Sequence, residues 1–214
     1  MKEQKDAYME ALAQTLGRDN MKKIQSIRVG LAGAGGLGSN CAQLLVRSGF
    51  VKFRIVDFDV VEWSNLNRQF YFARQVGLKK VDALKENLLS INPGLDIETV
   101  RVKIDSRNVI KLFEGCHVVV EALDGASDKR MVAETFINSG KLLVAASGLA
   151  GWGSTDDIRI HRIRKDFFLV GDLKSEVGPG LPPMGPGVNI AAAKQADVVL
   201  SYFLEKNIGG EDDG

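Results

Sequence analysis

Three glycines, Gly33, Gly35 and Gly38, stand at the spacing G-x-G-x-x-G in the stretch GLAGAGGLGSN, with Gly36 inside it. An apolar run precedes them and a helical pattern comes after. Strand, glycine loop and helix in that order form a phosphate cradle: backbone N–H groups and a helix N-terminus face the anion, and no Cβ blocks its approach. Asp57 ends the next strand-like run, about 20 residues past the loop, where a carboxylate can take ribose hydroxyls. The loop alone does not name the nucleotide, because the same device serves dehydrogenases, flavoproteins and adenylating enzymes. A tight turn without a ligand is the plain alternative.

The residues after Asp57 narrow the choice. The segment DFDVVEWSNLNRQFYF, residues 57–72, places Asp57, Asp59, Ser64, Asn65, Leu66, Arg68 and Gln69 where a D-x-D element, a short run and S-N-L-x-R-Q would put them. In this the chain resembles the ThiF/MoeB/ubiquitin-activating superfamily. Lys80, in QVGLKKVDALKENLLSINPG, matches the family's lysine that opens a helix before I-N-P, supplied by Ile91, Asn92 and Pro93. Asp124, in VVVEALDGASDKR, takes the position of the second aspartate in the family's D-x-x-D-N element. The resemblance covers roughly residues 27–170, and AGAGGLGSN, AASGLAGWGS and FLVGD resemble the short ThiF branch, which activates the sulfur carrier ThiS for thiamin biosynthesis.

The resemblance implies ATP-dependent adenylation of a small ubiquitin-like carrier ending in Gly-Gly. A carboxylate is a poor electrophile; its attack on the α-phosphorus of ATP gives an acyl-adenylate and pyrophosphate. Such a site needs cations, oriented N–H donors and magnesium held by a carboxylate. By resemblance, Gly33, Gly35, Gly36 and Gly38 with Asp57 and Asn65 bind the nucleotide, Arg68 and Lys80 meet the phosphates, and Asp124 holds magnesium. No general base is required, since the attacking carboxylate is already ionised at neutral pH. Bland roles stand beside these: Arg68 as a surface partner of Asp59 or Glu62, Lys80 as a solvated lysine with Lys79 as competitor, and Asp124 as a helix cap. Asp59 reads as structural, because a second carboxylate would repel a polyphosphate.

Departures from the family pattern also carry expectations. An N-terminal R-Y-x-R-Q segment, whose arginine reaches a neighbouring subunit's ATP, is absent, and Arg18 is the nearest substitute. Gly125 comes after Asp124 where the family has asparagine, and Glu121 replaces the preceding aspartate. The two cysteines, Cys41 and Cys116, cannot make a four-cysteine zinc site, so no zinc is expected. Both read as small buried hydrophobes, which leaves sulfur delivery to a separate donor. The family usually works as a homodimer. Competing readings are an NAD-dependent dehydrogenase, a non-catalytic carrier-binding subunit, and adenylation of a molybdopterin-type carrier or a tRNA base.

The elements that must position these residues can be read from periodicity. The 214 residues, 45% hydrophobic and 26% charged with a net charge of +1, read as one soluble domain spanning 1–214. Near-zero net charge gives no reason to expect nucleic acid or a membrane surface as partner. No apolar stretch approaches the roughly 20 residues of a membrane span, and the charged N-terminus is no secretory signal, so a cytoplasmic location is expected. An amphipathic helix is expected over 3–25. A Rossmann-like, doubly wound α/β core over 27–150 has strands at 28–32, 53–57, 97–102, 118–122 and 142–146, and helices at 40–48, 80–91, 108–114 and 128–138. Ser127 or Asp128 would cap the last of these helices and Gly140 would end it. The mostly parallel sheet gains an antiparallel extension within 151–206, then a glycine- and proline-rich crossover loop over 175–189 and a helix over 190–204. His117 and His161 read as ordinary sheet residues.

Overall fold

The computed structural model describes residues 2–176, 178 and 180–204. Helices α1 (Lys2–Leu16) and α2 (Arg18–Ser26) precede strand β1 (Arg28–Ala32). The single helix expected over 3–25 is therefore two, because Gly17 adopts φ 87°, a conformation that ends a helix and that glycine accepts readily. Leu12 and Leu16 pack half-buried on the core, and the Tyr8 hydroxyl donates to Val46 O at 3.4 Å.

The remaining strands are β2 (Lys52–Val56), β3 (Asp96–Val100), β4 (Val118–Glu121), β5 (Leu142–Ala146), β6 (Arg159–Arg164) and β7 (Phe167–Gly171). They form one sheet in the order β3-β2-β1-β4-β5-β7-β6. Only β6 and β7 run antiparallel to each other; β7 joins β5 in parallel, so the expected extension is a strand that goes out to the edge and returns inward. The chain leaves β1 first toward β2 and later toward β4, and the crevice at this reversal lies at the carboxyl ends of the strands.

Both faces of the sheet are covered. Helices α3 (Gly36–Arg47), α4 (Lys80–Ile91) and α7 (Gly185–Phe203) cover one, and the one-turn α5 (Val109–Leu112) with α6 (Ala126–Phe136) covers the other. The unbroken apolar runs are a consequence: Val118 and Val120 enter the first core while Val119 enters the second, and Leu142 and Leu143 divide likewise.

Three helix starts move by two residues or more, each for a local reason. Helix α3 begins at Gly36, four residues before the expected 40, so the last glycines form its first turn. Helix α6 begins at Ala126 behind a Gly125 cap, which leaves Ser127 and Asp128 inside its first turn and gives Asp124 no capping bond. Helix α7 begins at Gly185 rather than 190, with Pro186 in its first turn, where the missing N–H costs no bond. The crossover segment thus spans 172–184, and residues 205–206 of the expected C-terminal unit lie outside the described residues.

The glycine loop is packed to different degrees along its length. A Cβ on Gly38 would lie 2.0 Å from Gly33 O, and Gly33 itself has φ 104° with Ala122 O in the way. A Cβ on Gly35 would meet nothing nearer than Gln69 Nε2 at 3.9 Å. Gly38→Ala should therefore lower the unfolding free energy by about 3 kcal/mol, at the upper end of ordinary overpacking costs, whereas Gly35→Ala should stay within about 0.5 kcal/mol. Urea midpoints check this, and equal midpoints for the two variants would overturn the packing account.

Candidate active site

Two adjoining cavities open at the crevice. The first, about 180 Å³, is bordered by Gly33, Gly35, Asp57, Lys80, Ile104 and Asp124. The second, about 140 Å³, is bordered by Gly36, Arg68, Lys129, Ser147 and Pro183. Ala122, Leu123 and Asp124 belong to both walls.

Asp57 fastens the loop to the end of β2. Its Oδ2 accepts the Ala34 N–H at 2.7 Å and its Oδ1 accepts the Asp59 N–H at 2.8 Å. A carboxylate has about four acceptor sites, so capacity remains for a ligand hydroxyl. Tyr71, which sequence reasoning missed, donates its hydroxyl to Ala34 O at 2.7 Å. Burial first, and then the charges of Asp57 and Asp59, hold that phenol well above its usual pKa, so it stays a neutral donor.

Lys80 opens α4 and is 5% exposed. Its ammonium donates to Asp59 Oδ2 at 2.8 Å, which explains the second aspartate of D-x-D as the partner of a buried cation. Lys79 is exposed and borders neither cavity. Arg68 pairs with neither Asp59 nor Glu62; its Nη1 donates to Ser64 O at 3.0 Å and Asn67 Oδ1 at 2.8 Å along the wall of the second cavity. Asn65 lies on the buried side of the same turn, where its Oδ1 accepts the Glu62 N–H at 3.0 Å, and it borders neither cavity.

The Arg68 segment is held by α3. Asn40 Nδ2 donates to Gly36 O at 2.7 Å and to Arg68 O at 2.8 Å. Ser39 Oγ donates to Gly35 O at 2.6 Å and accepts the Phe70 N–H at 3.0 Å. Gln75 and Asn87 exchange amide hydrogen bonds beneath, and Asn87 Nδ2 reaches Phe70 O at 2.8 Å. The available signal for these residues was the presence of polar side chains at positions the helix buries.

Asp124 is exposed at the end of β4 and makes no hydrogen bond or ion pair among the described residues. Of the other carboxylates near it among the described residues, Asp57 and Glu121 are committed, whereas Asp128, half-buried on the wall of the same cavity, is not. Asp57 holds two backbone donors, and Glu121, 1% exposed, accepts the Leu123 N–H at 2.7 Å and Lys129 Nζ at 3.1 Å. Burial raises the Glu121 pKa against the opposing pull of Lys129. Among the described residues no three His, Cys, Asp or Glu side chains gather as a metal cage. Asp124, with Asp128 on the same cavity wall, fits magnesium, which binds through one or two carboxylates plus substrate phosphates and water.

Beyond the second cavity a groove of about 250 Å³ continues past Gly148, Leu149 and Ser175 to Trp152 and Leu181. The crossover segment is pinned over it: the Ala150 N–H donates to Ser175 Oγ at 3.0 Å, and the Gly151 N–H to Pro182 O at 3.2 Å. Other polar groups are far simpler. His117 Nδ1 accepts the Arg28 N–H at 2.9 Å, and His161 Nε2 lies 3.1 Å from Gly171 O. Arg18 pairs with Glu10 at the junction of α1 and α2. Cys41 and Cys116 are buried; desolvation pushes the Cys41 thiol up to about 12 and raises Cys116 as well.

Among the described residues no helix is long and apolar enough to cross a membrane. The ThiF family model matches residues 8–165. The chain is 36% identical over 143 residues to the adenylyltransferase and sulfurtransferase UBA4 of Eremothecium gossypii, covering 66% of this chain and 32% of that protein. It is 31% identical over 151 residues to UBA4 of Saccharomyces cerevisiae, covering 70% and 34%. The chain thus spans about a third of the length of the curated relatives it matches. In fold it is similar to the ATP complex of E. coli tRNA N6-threonylcarbamoyladenosine dehydratase, TcdA, with TM-score 0.79, 21% identity and 93% of each chain covered. E. coli MccB, solved with AMPCPP and MccA, gives TM-score 0.69 at 21% identity over 87% of this chain and 58% of that one. With the glycine cradle, the S-N-L-x-R-Q turn, the helix-opening lysine and the strand-end aspartate all in one crevice, the chain belongs to the ThiF family.

Proposed function

We propose that residues 1–214 act as one ATP-dependent adenylating unit whose substrate is the C-terminal glycine carboxylate of a small ubiquitin-like sulfur carrier. The observation that carries this reading is the convergence of Lys80, Arg68 and the accessible Asp124 on adjoining cavities beside a glycine loop. Gly35 adds to it: packing within the protein does not require a glycine there, whereas a ligand approaching the backbone does. A ThiS-like carrier of thiamin biosynthesis is the finer form of the proposal. The UBA4 relatives, adenylyltransferases and sulfurtransferases by name, support carrier activation without singling out that carrier.

ATP is the substrate of the first cavity. Asp57 takes the ribose, and the glycine-loop N–H groups, Arg68 and Lys80 meet the phosphates, with Lys80 fastened to the cavity wall by Asp59. Asn65 acts through the turn that presents Arg68. Magnesium, held by Asp124, supplies further neutralisation of phosphate charge. The carrier's tail lies in the outer groove beneath the crossover segment. Two copies of the chain work together as a homodimer, and the acyl-adenylate passes to a separate sulfur donor, since neither thiol of this chain is accessible or ionised.

Three outcomes test the reading. Calorimetry should show ATP with magnesium binding at least about tenfold more tightly than NAD; the reverse order would overturn it. Asp124→Ala should cut carrier-dependent pyrophosphate exchange about 100-fold or more with an unchanged unfolding midpoint, and near-normal exchange would move the metal elsewhere. Ellman's reagent at about pH 8, below the usual cysteine pKa, should label neither Cys41 nor Cys116 in the folded protein, and a Cys41→Ser, Cys116→Ser variant should keep exchange activity. Rapid labelling of either thiol, or loss of exchange in a folded double variant, would restore a cysteine to the mechanism.

A further inference from the structure

The second cavity contains a cation that the nucleotide does not account for. Lys129, in the first turns of α6, borders the cavity and is 25% exposed, while its partner Glu121 is 1% exposed behind it. The pair is therefore oriented, with its positive end facing the cavity. Lys129 Nζ makes three contacts, to Glu121 Oε1 at 3.2 Å, Glu121 Oε2 at 3.1 Å and Ala146 O at 3.2 Å. Two of the three go to one carboxylate at long distance, so a single N–H shared between those oxygens leaves another to turn outward.

Position separates Lys129 from Arg68. The Arg68 side chain lies against Gly36, on the glycine-loop side of the cavity. Lys129 stands opposite, at the ends of β4 and β5, beside Ala146 and Ser147, from which Gly148 and Leu149 lead into the outer groove. A carboxylate entering from that groove must come within about 3–3.5 Å of a phosphorus that is itself surrounded by anionic oxygens. Two negative charges at that range repel, and more strongly in a cavity than in bulk water. A second cation on the groove side offsets that repulsion, and the described residues offer Lys129 there.

We propose that Lys129 binds the carboxylate of the incoming substrate, making the second cavity the acyl half of the site and the Glu121 carboxylate its support. The inference rests on the adenylation reading. It also gives the buried Glu121 two tasks: it holds the ammonium at the wall, and through the Leu123 N–H it fixes the strand end that carries Asp124.

Calorimetry on the full chain with an ATP analogue that cannot be cleaved between the α- and β-phosphates tests this. The probe is a synthetic peptide ending in Gly-Gly, compared with the same peptide as its C-terminal amide. The wild type should prefer the free acid at least about tenfold. Lys129→Met combined with Glu121→Gln removes both charges together and avoids stranding a buried anion. It should bind acid and amide equally, with affinity for the analogue and the amide equal to that of Glu121→Gln alone. Glu121→Gln alone keeps the cation and should keep the preference. Persistence of the preference in the double variant would overturn the role of Lys129 while leaving adenylation intact. Failure of the wild type to bind the analogue or either peptide would overturn both readings.

Discussion

The crevice depends on the close approach of the glycine loop to the ends of β2 and β4. The Gly33 N–H donates to Val56 O at 2.9 Å, the Ala34 N–H to Asp57, and Gly33 lies directly against Ala122 O. Gly38 brings α3 down onto Gly33, so at these two positions strand end, loop and helix start leave no room for a Cβ. Secondary contacts are fastened to this joint. Tyr71 reaches Ala34 O, Ser39 and Asn40 hold residues 68–70, and the S-N-L-x-R-Q turn takes its position from α3 rather than from its own sequence.

Charge in the crevice is arranged by direction more than by amount. Lys80 and Lys129 each sit in a wall with one carboxylate behind or beside them, and Arg68 spends its hydrogen bonds on neutral oxygens. Pairing makes the burial of each lysine tolerable, since an isolated buried ammonium would lose its hydration without return. The same pairing leaves cationic groups on the walls of both cavities. Asp124 is the opposite case, an accessible carboxylate at a strand end with no protein partner among the described residues. That contrast divides the acidic residues of the crevice into those that hold cations or backbone and those, Asp124 and Asp128, that are available to a ligand.

Fold similarity and sequence similarity speak to different parts of the chain. The sequence match to UBA4 covers about two thirds of this chain and a third of each relative, whereas TcdA shares the fold over 93% of both chains at 21% identity. The sheet and its helices are therefore a common frame.

The sequence by itself determined the strand and helix order, the glycine cradle, and the candidacy of Arg68, Lys80 and Asp124, because these depend on local periodicity and on motifs with fixed spacing. β1, β5 and α4 are legible to the residue for that reason. Only the tertiary structure decided how those residues are partnered. That Lys80 belongs to Asp59, that Asn65 builds a turn instead of facing a cavity, and that Arg68 is free of both nearby acids depend on chain segments folded back upon each other. Lys129 and Glu121 are eight residues apart, one on a helix and one on a strand, so no periodicity relates them; the sheet end and the first turns of α6 must pack before they meet. The break at Gly17 and the early start of α7 were hidden for the converse reason: a backbone angle and a first-turn proline override an otherwise continuous pattern.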